Sequence, residues 1–159
     1  MKTLEKMFND AGCSQVRSYV QSGNVVFRAN KSLAGKLPVQ IAAQILKSFG
    51  FRVPVILRTA EQIADTVTNN PFTKKEAMTD ILHVMFLANQ PSQERIAALD
   101  HSRFLPDEFV LRGAEIYLRL PNGVARTKLT NAYFDSKLAT VSTGRNWRTV
   151  NKLLEMMQQ

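Results

Sequence analysis

At 159 residues with 45% apolar and 21% charged side chains, the chain has the composition of a globular protein, not of a disordered or fibrous one. Its longest apolar runs, such as ILHVMFLA at Ile81–Ala88, fall far short of the roughly 20 residues that cross a bilayer, and MKTLEKMFND carries no signal peptide. The expectation is therefore a cytoplasmic protein with no membrane partner. A single cysteine, Cys13, excludes an intramolecular disulfide, and without CxxC or HExxH nothing points to a metal or other cofactor.

The formal charge of +8 is unevenly spread. Residues 1–75 carry 11 basic and 4 acidic side chains, residues 76–111 carry 2 and 6, and residues 112–152 carry 8 and 2. Two basic zones flanking an acidic one could form a face for polyanions if folding joins them. An ordinary solvated basic surface is the competing reading, because no basic run is longer than Lys74–Lys75.

Taken in chain order, Leu4, Met7, Phe8 and Ala11 recur at helical spacing and Gly12 terminates that first helix. Val16–Gln21 and Val25–Arg28 read as hairpin strands, with Gly23 and Asn24 supplying the positive φ angles of a two-residue turn and Gln21 and Ser22 surplus to it. Leu33–Phe49 is an amphipathic helix whose regular part is expected to begin at Pro38, with proline in its first turn. Val53–Arg58 reads as a strand, with Pro54 favouring an edge or a strand start. Thr59 then caps a short helix over Ala60–Thr68. Further on, Asp80–Ala88 is a buried strand, Ser92 caps a helix running to Leu99, and Phe109–Arg112 with Glu115–Leu120 form a second hairpin around Gly113–Ala114. Helices follow at about Asn131–Leu138 and Asn146–Met157.

Each half thus contains a helix, a hairpin and another helix, so residues 1–75 and 76–159 form two similar halves. The class is α+β, with duplicated ferredoxin-like repeats of the βαββαβ type. Only the second half has a strand before its first helix. The first repeat lacks its opening strand, which belongs in the middle of such a sheet, and the chain reads as a truncated form that starts after it.

YVQSGNVVF at Tyr19–Phe27, RT at Arg58–Thr59, NPF at Asn70–Phe72, IYLRLPNGVARTKL at Ile116–Leu129 and TGRNWRTVNKL at Thr143–Leu153 together resemble, in order and spacing, the bacterial family catalogued as domain of unknown function 1697. The resemblance covers nearly the whole chain. It implies two fused ferredoxin-like repeats, and it implies that the family's first strand and following GINVGG-type segment precede Met1. It implies no biochemical activity.

Three motifs offer ligand-binding candidates. At the hairpin apex, Gln21, Ser22 and Asn24 carry amide and hydroxyl groups suited to a base edge or a phosphate, or to bracing the turn itself. In PNGVARTKL, Arg126 and Lys128 flank Thr127 beside a helix start, where backbone N–H groups can join them in holding an anion; the Walker spacing is missing. In TGRNWRTVNKL, Arg145, Arg148 and Lys152 are three and four residues apart and so can share one helix face, while Trp147 reads as a core anchor. Arg58 completes the candidate ligand-binding set. His83 reads as a core residue, His101 as a surface one, and Cys13 as a structural thiol, with no acid/base pair or triad in sight.

Whether the protein is an enzyme stays open at this level. The leading expectation is a non-enzymatic binding protein for an anionic ligand, with nucleic acid as the partner. The alternative is an enzyme or sensor for a small phosphorylated or nucleotide-like molecule. A third reading is self-association through an exposed sheet edge.

Overall fold

The computed structural model describes residues 2–20, 23–74 and 78–159. Two compact units make up the chain: residues up to Ala60 together with Lys152–Gln159 form the first, and Glu61–Asn151 the second. The sequence repeat draws its line at 75/76; compactness draws it at Ala60 and returns the C-terminal residues to the first unit.

In the first unit, α1 (Lys2–Asp10) buries Met7 and Phe8, the two positions that helical spacing puts on one side. Gly12, at φ 106°, ends it, and the Cys13 N–H reaches back to the Phe8 carbonyl at 3.1 Å. Strands β1 (Ser14–Tyr19) and β2 (Asn24–Arg28) pair antiparallel, with Arg17 opposite Val26 and Tyr19 opposite Asn24. The expected two-residue turn is not formed. Because Tyr19 pairs with Asn24, residues 20–23 make the connection, and positive φ falls on Val20 (51°) and Gly23 (79°), not on Asn24. Gln21 and Ser22 lie within that connection but outside the described residues.

Helix α2 (Lys31–Phe49) starts well before Pro38, contrary to the sequence expectation. The Asn30 side chain accepts the Leu33 N–H at 2.8 Å and fixes the first turn, so proline sits inside the helix and removes the bond that residue 38 would give to Ala34. Leu37, Ile41 and Ile45 on its buried side offset that loss by joining Met7, Phe8 and Cys13 in one core. Gly50, in the left-handed conformation at φ 77°, closes the helix.

The strand expected at Val53–Arg58 is also absent. Val53, Val55 and Leu57 rest in alternation on the same core, but among the described residues no strand pairs with Val53–Leu57. Pro54 removes one donor, and among the described residues β2 pairs only with β1.

The second unit has its full complement. After α3 (Ala60–Thr68) come β3 (Leu82–Leu87), α4 (Gln93–Ala97), β4 (Glu108–Arg112), β5 (Glu115–Arg119), α5 (Asn131–Leu138), β6 (Ser142–Asn146) and α6 (Trp147–Met157), whose last turns belong to the first unit. The sheet order is β4-β5-β3-β6, antiparallel throughout. That is the ferredoxin-like arrangement, and the protein is α+β. Strand β6 was not anticipated, because STGRN has little sheet propensity and gains its place by pairing with β3.

Both faces of this sheet are covered. Met85 and Leu87 face a core with Ile116, Leu118, Leu129, Phe134 and Leu138, while Leu82, Val84, Phe86 and Tyr117 are buried on the opposite face. Trp147 is buried too. Among the described residues, no helix is long and apolar enough to cross a membrane.

Candidate anion-binding site

The strand register decides which candidates come together in the second unit. Leu82 lies opposite Arg119 and His83 opposite Asn146, so β5 and β6 both finish at the end where β3 begins. The β5–α5 loop and the β6–α6 junction therefore leave from one end of the sheet. One strand separates their exits, about 10 Å at the usual spacing.

The loop is held rather than loose. Gly123, at φ 81°, allows a turn in which its N–H donates to the Leu120 carbonyl at 3.0 Å. Leu129 is buried and anchors the far end, and the Thr130 hydroxyl accepts the Tyr133 N–H at 3.2 Å to cap α5. Between these, the Thr127 hydroxyl donates to Asp107 Oδ2 at 2.7 Å and accepts the Leu129 N–H at 3.0 Å. Arg126 and Lys128, on either side of the fixed threonine, are exposed. The Asp107–Thr127 link is invisible in the sequence, since 20 residues separate the pair. Asp107 Oδ1 is buried with no partner among the described residues.

At the β6–α6 junction, Asn146 Oδ1 accepts the Thr149 N–H at 2.8 Å and caps α6, placing the exposed Arg148 in its first turn. Arg145 behaves differently. It belongs to β6, opposite Val84, and its Nη1 turns back along the strand to donate to Thr143 Oγ1 at 2.6 Å and the Gly144 carbonyl at 2.7 Å. Burial pushes its guanidinium below the ordinary arginine value, yet it stays a cation at any physiological pH. The expected helical row of Arg145, Arg148 and Lys152 is thus broken: the first is in a strand, and Lys152 pairs with Glu155 at 3.0 Å.

Acidic groups share this end. Glu108 contacts Arg119 at 3.4 Å, and Asp107 is engaged with Thr127. Among the described residues, none forms an ion pair with Arg126, Lys128 or Arg148, which leaves these as the outward-facing cations of the end.

The other candidates lie in the first unit. Asn24 is buried, and its Nδ2 donates to the Tyr19 carbonyl at 3.1 Å, bracing the hairpin. Arg58 is half-buried and donates from Nη1 to the Leu57 carbonyl at 2.9 Å.

Groups with reactive potential are occupied structurally. Ser142 is buried, accepts from Asn131 Nδ2 at 2.8 Å and donates to Asp135 Oδ1 at 2.6 Å, tying α5 to β6. Cys13 is buried, which pushes its thiol up and makes it a poor nucleophile. His83 is half-buried and lowered by burial, whereas the exposed His101 stacks on Phe109 at 4.1 Å. Among the described residues, no three His, Cys, Asp or Glu side chains are placed to hold a metal ion.

No curated protein matches the chain. A conserved bacterial protein from Streptococcus pneumoniae has a similar solved structure, at 16% identity and a TM-score of 0.72 over 100% of this chain and 89% of the other. That likeness concerns the fold alone. The family described as "Protein of unknown function (DUF1697)" matches residues 1–117, most of the sequence, and the chain belongs to that family.

Proposed function

We propose that this protein is a non-enzymatic binder of anionic ligands and that its partner is the phosphate backbone of a nucleic acid. The observation that supports the reading is the exit of two cation-bearing segments, with exposed Arg126, Lys128 and Arg148, from one end of the second unit's sheet. A net charge of +8 adds long-range attraction. The mode is phosphate contact and not base stacking on the sheet: Tyr117, Phe86 and Trp147 are buried, so the aromatic platform of sheet-based RNA binders is missing here. Affinity should then be weakly selective for sequence and strongly dependent on salt.

Titration of labelled single-stranded and duplex oligonucleotides at several salt concentrations tests this. Three phosphate contacts give a log–log salt slope near −3 on duplex, and Arg126→Ala, Lys128→Ala or Arg148→Ala each lowers it by about one. Absence of salt-dependent binding at micromolar protein overturns the reading. Tight binding of a mononucleotide with no gain on lengthening the oligonucleotide would instead identify a small phosphorylated ligand.

A further inference from the structure

The net charge sits almost wholly on one unit. The first unit carries ten basic and three acidic side chains, a net +7, against eleven and ten in the second, and no acidic residue occurs from Ala11 to Ala60. Within that stretch α2 ends on an exposed aromatic pair. Gly50 gives its N–H to the Leu46 carbonyl at 2.9 Å and turns the chain in its left-handed conformation. Phe49 and Phe51, on either side of it, stack on each other with ring centroids 6.0 Å apart and planes 29° from parallel. The two are 49% and 55% exposed, while the other seven of the nine phenylalanines are buried or half-buried. The core takes Leu37, Ile41 and Ile45 from this helix and neither of these rings. Lys47 and Arg52, the nearest charged residues along the chain on the two sides, are exposed as well.

We infer that Phe49 and Phe51 form a stacking platform, off the sheet, for the unpaired bases of a single-stranded nucleic acid whose phosphates the basic surroundings attract. The inference rests on the nucleic-acid reading above and adds to it a preference for single strands, which phosphate contact alone does not give. Charge complementarity sets the class of partner. A second copy of this unit would bring +7 against +7, whereas a polyanion meets no carboxylate along residues 11–60. Ring geometry narrows the choice further: a base adds one more layer to a stacked pair, while a lipid acyl chain gains nothing from the alignment of two rings. Because every base has a π-face, the platform distinguishes strandedness and not sequence.

The test compares an oligothymidylate of about ten nucleotides, an abasic strand of the same length and a duplex, with the whole chain as receptor. The oligothymidylate should bind at least about fivefold tighter than the abasic strand, which has the phosphates without the bases. Phe49→Ala and Phe51→Ala should each shrink that gap and together abolish it, with duplex affinity and its salt slope unchanged. Phe51→Leu, which keeps apolar area without a ring, should behave like Phe51→Ala. Oligothymidylate, and not the abasic strand, should move the ring-proton signals of Phe49 and Phe51 upfield. Equal binding of the two strands overturns the inference, as does a gap that survives loss of both rings; salt-dependent duplex binding in either case leaves the phosphate reading standing. A ring-dependent gap together with a duplex salt slope unmoved by Arg126→Ala, Lys128→Ala and Arg148→Ala does the reverse, supporting the platform and removing the other site. Ring-dependent binding to phosphatidylglycerol vesicles with no advantage for oligothymidylate overturns the inference in favour of a lipid surface.

Discussion

Tyr117 shows how a single side chain couples burial to pH. Its phenol is pushed up to about 12 from 10.0, first by burial and then by the nearby Glu115 carboxylate, while Arg112 and a hydrogen bond with Thr66 pull the other way. Between those two values the folded protein keeps a proton that the unfolded chain releases. The stability that this group contributes is therefore whole below about pH 10 and is lost as pH rises toward about 12. Tyr117→Phe should flatten that alkaline decline in urea-unfolding midpoints, at a cost of roughly 1 kcal/mol at neutral pH for the lost hydrogen bond. Equal alkaline losses in parent and variant would show that another group governs the transition. Arg145 and Asn24 teach a related lesson at this scale. Both are polar candidates in the sequence, and both spend donors on neighbouring backbone, Arg145 on Gly144 and Asn24 on Tyr19. A residue's type reveals its chemistry, but its rotamer reveals whom it serves.

At the scale of elements, caps and breakers are readable locally and ladders are not. Asn30, Ser92 and Thr130 each accept a backbone N–H three residues on, the arrangement their type and position suggest. Asn30 carries extra weight because the proline inside α2 removes a main-chain bond from the turns that follow this cap. Asn30→Ala should lower the thermal midpoint and cost about 1 kcal/mol, with exchange speeding up over Leu33–Leu37; Asn30→Asp, which keeps the acceptor, should retain most of the stability. If Asn30→Ala leaves both unchanged, the cap contributes nothing to the helix. Strand β6 and segment 53–58 are the reverse case. STGRN looks unlike a strand and becomes one against β3, whereas VPVIL looks like one and joins no ladder among the described residues. The presence or absence of a partner outweighs propensity in both.

For the whole molecule, the central strand is the organising difference. β3 is paired on both edges and buried on both faces, so its amides open only with the second unit as a whole. In the first unit β2 is paired on one edge, and residues 53–57 are in no ladder. Native-state hydrogen exchange should therefore rank Leu82–Leu87 among the slowest amides, with Val53–Leu57 faster by several orders of magnitude. Comparable protection in the two segments would mean that the first unit's sheet is complete in solution. Charge belongs to this scale as well. Strand register brings the segments that carry Arg126, Lys128 and Arg148 to one end of the second unit's sheet, and the spacing of these residues in the chain gives no hint of it.

The sequence by itself determined the α+β class, the repeat of helix, hairpin and helix, most element positions, the family, and a net positive charge carried in two separated zones of the chain. These follow from short-range physics: apolar periodicity, caps, turn residues and composition. Tertiary structure alone decided that Tyr19 pairs with Asn24, that β6 exists, that Val53–Leu57 joins no ladder, and that Arg126 and Lys128 share a sheet end with Arg148 while Arg145 folds back. Each of those outcomes depends on which distant segment supplies hydrogen bonds or burial, and local pattern carries no record of that.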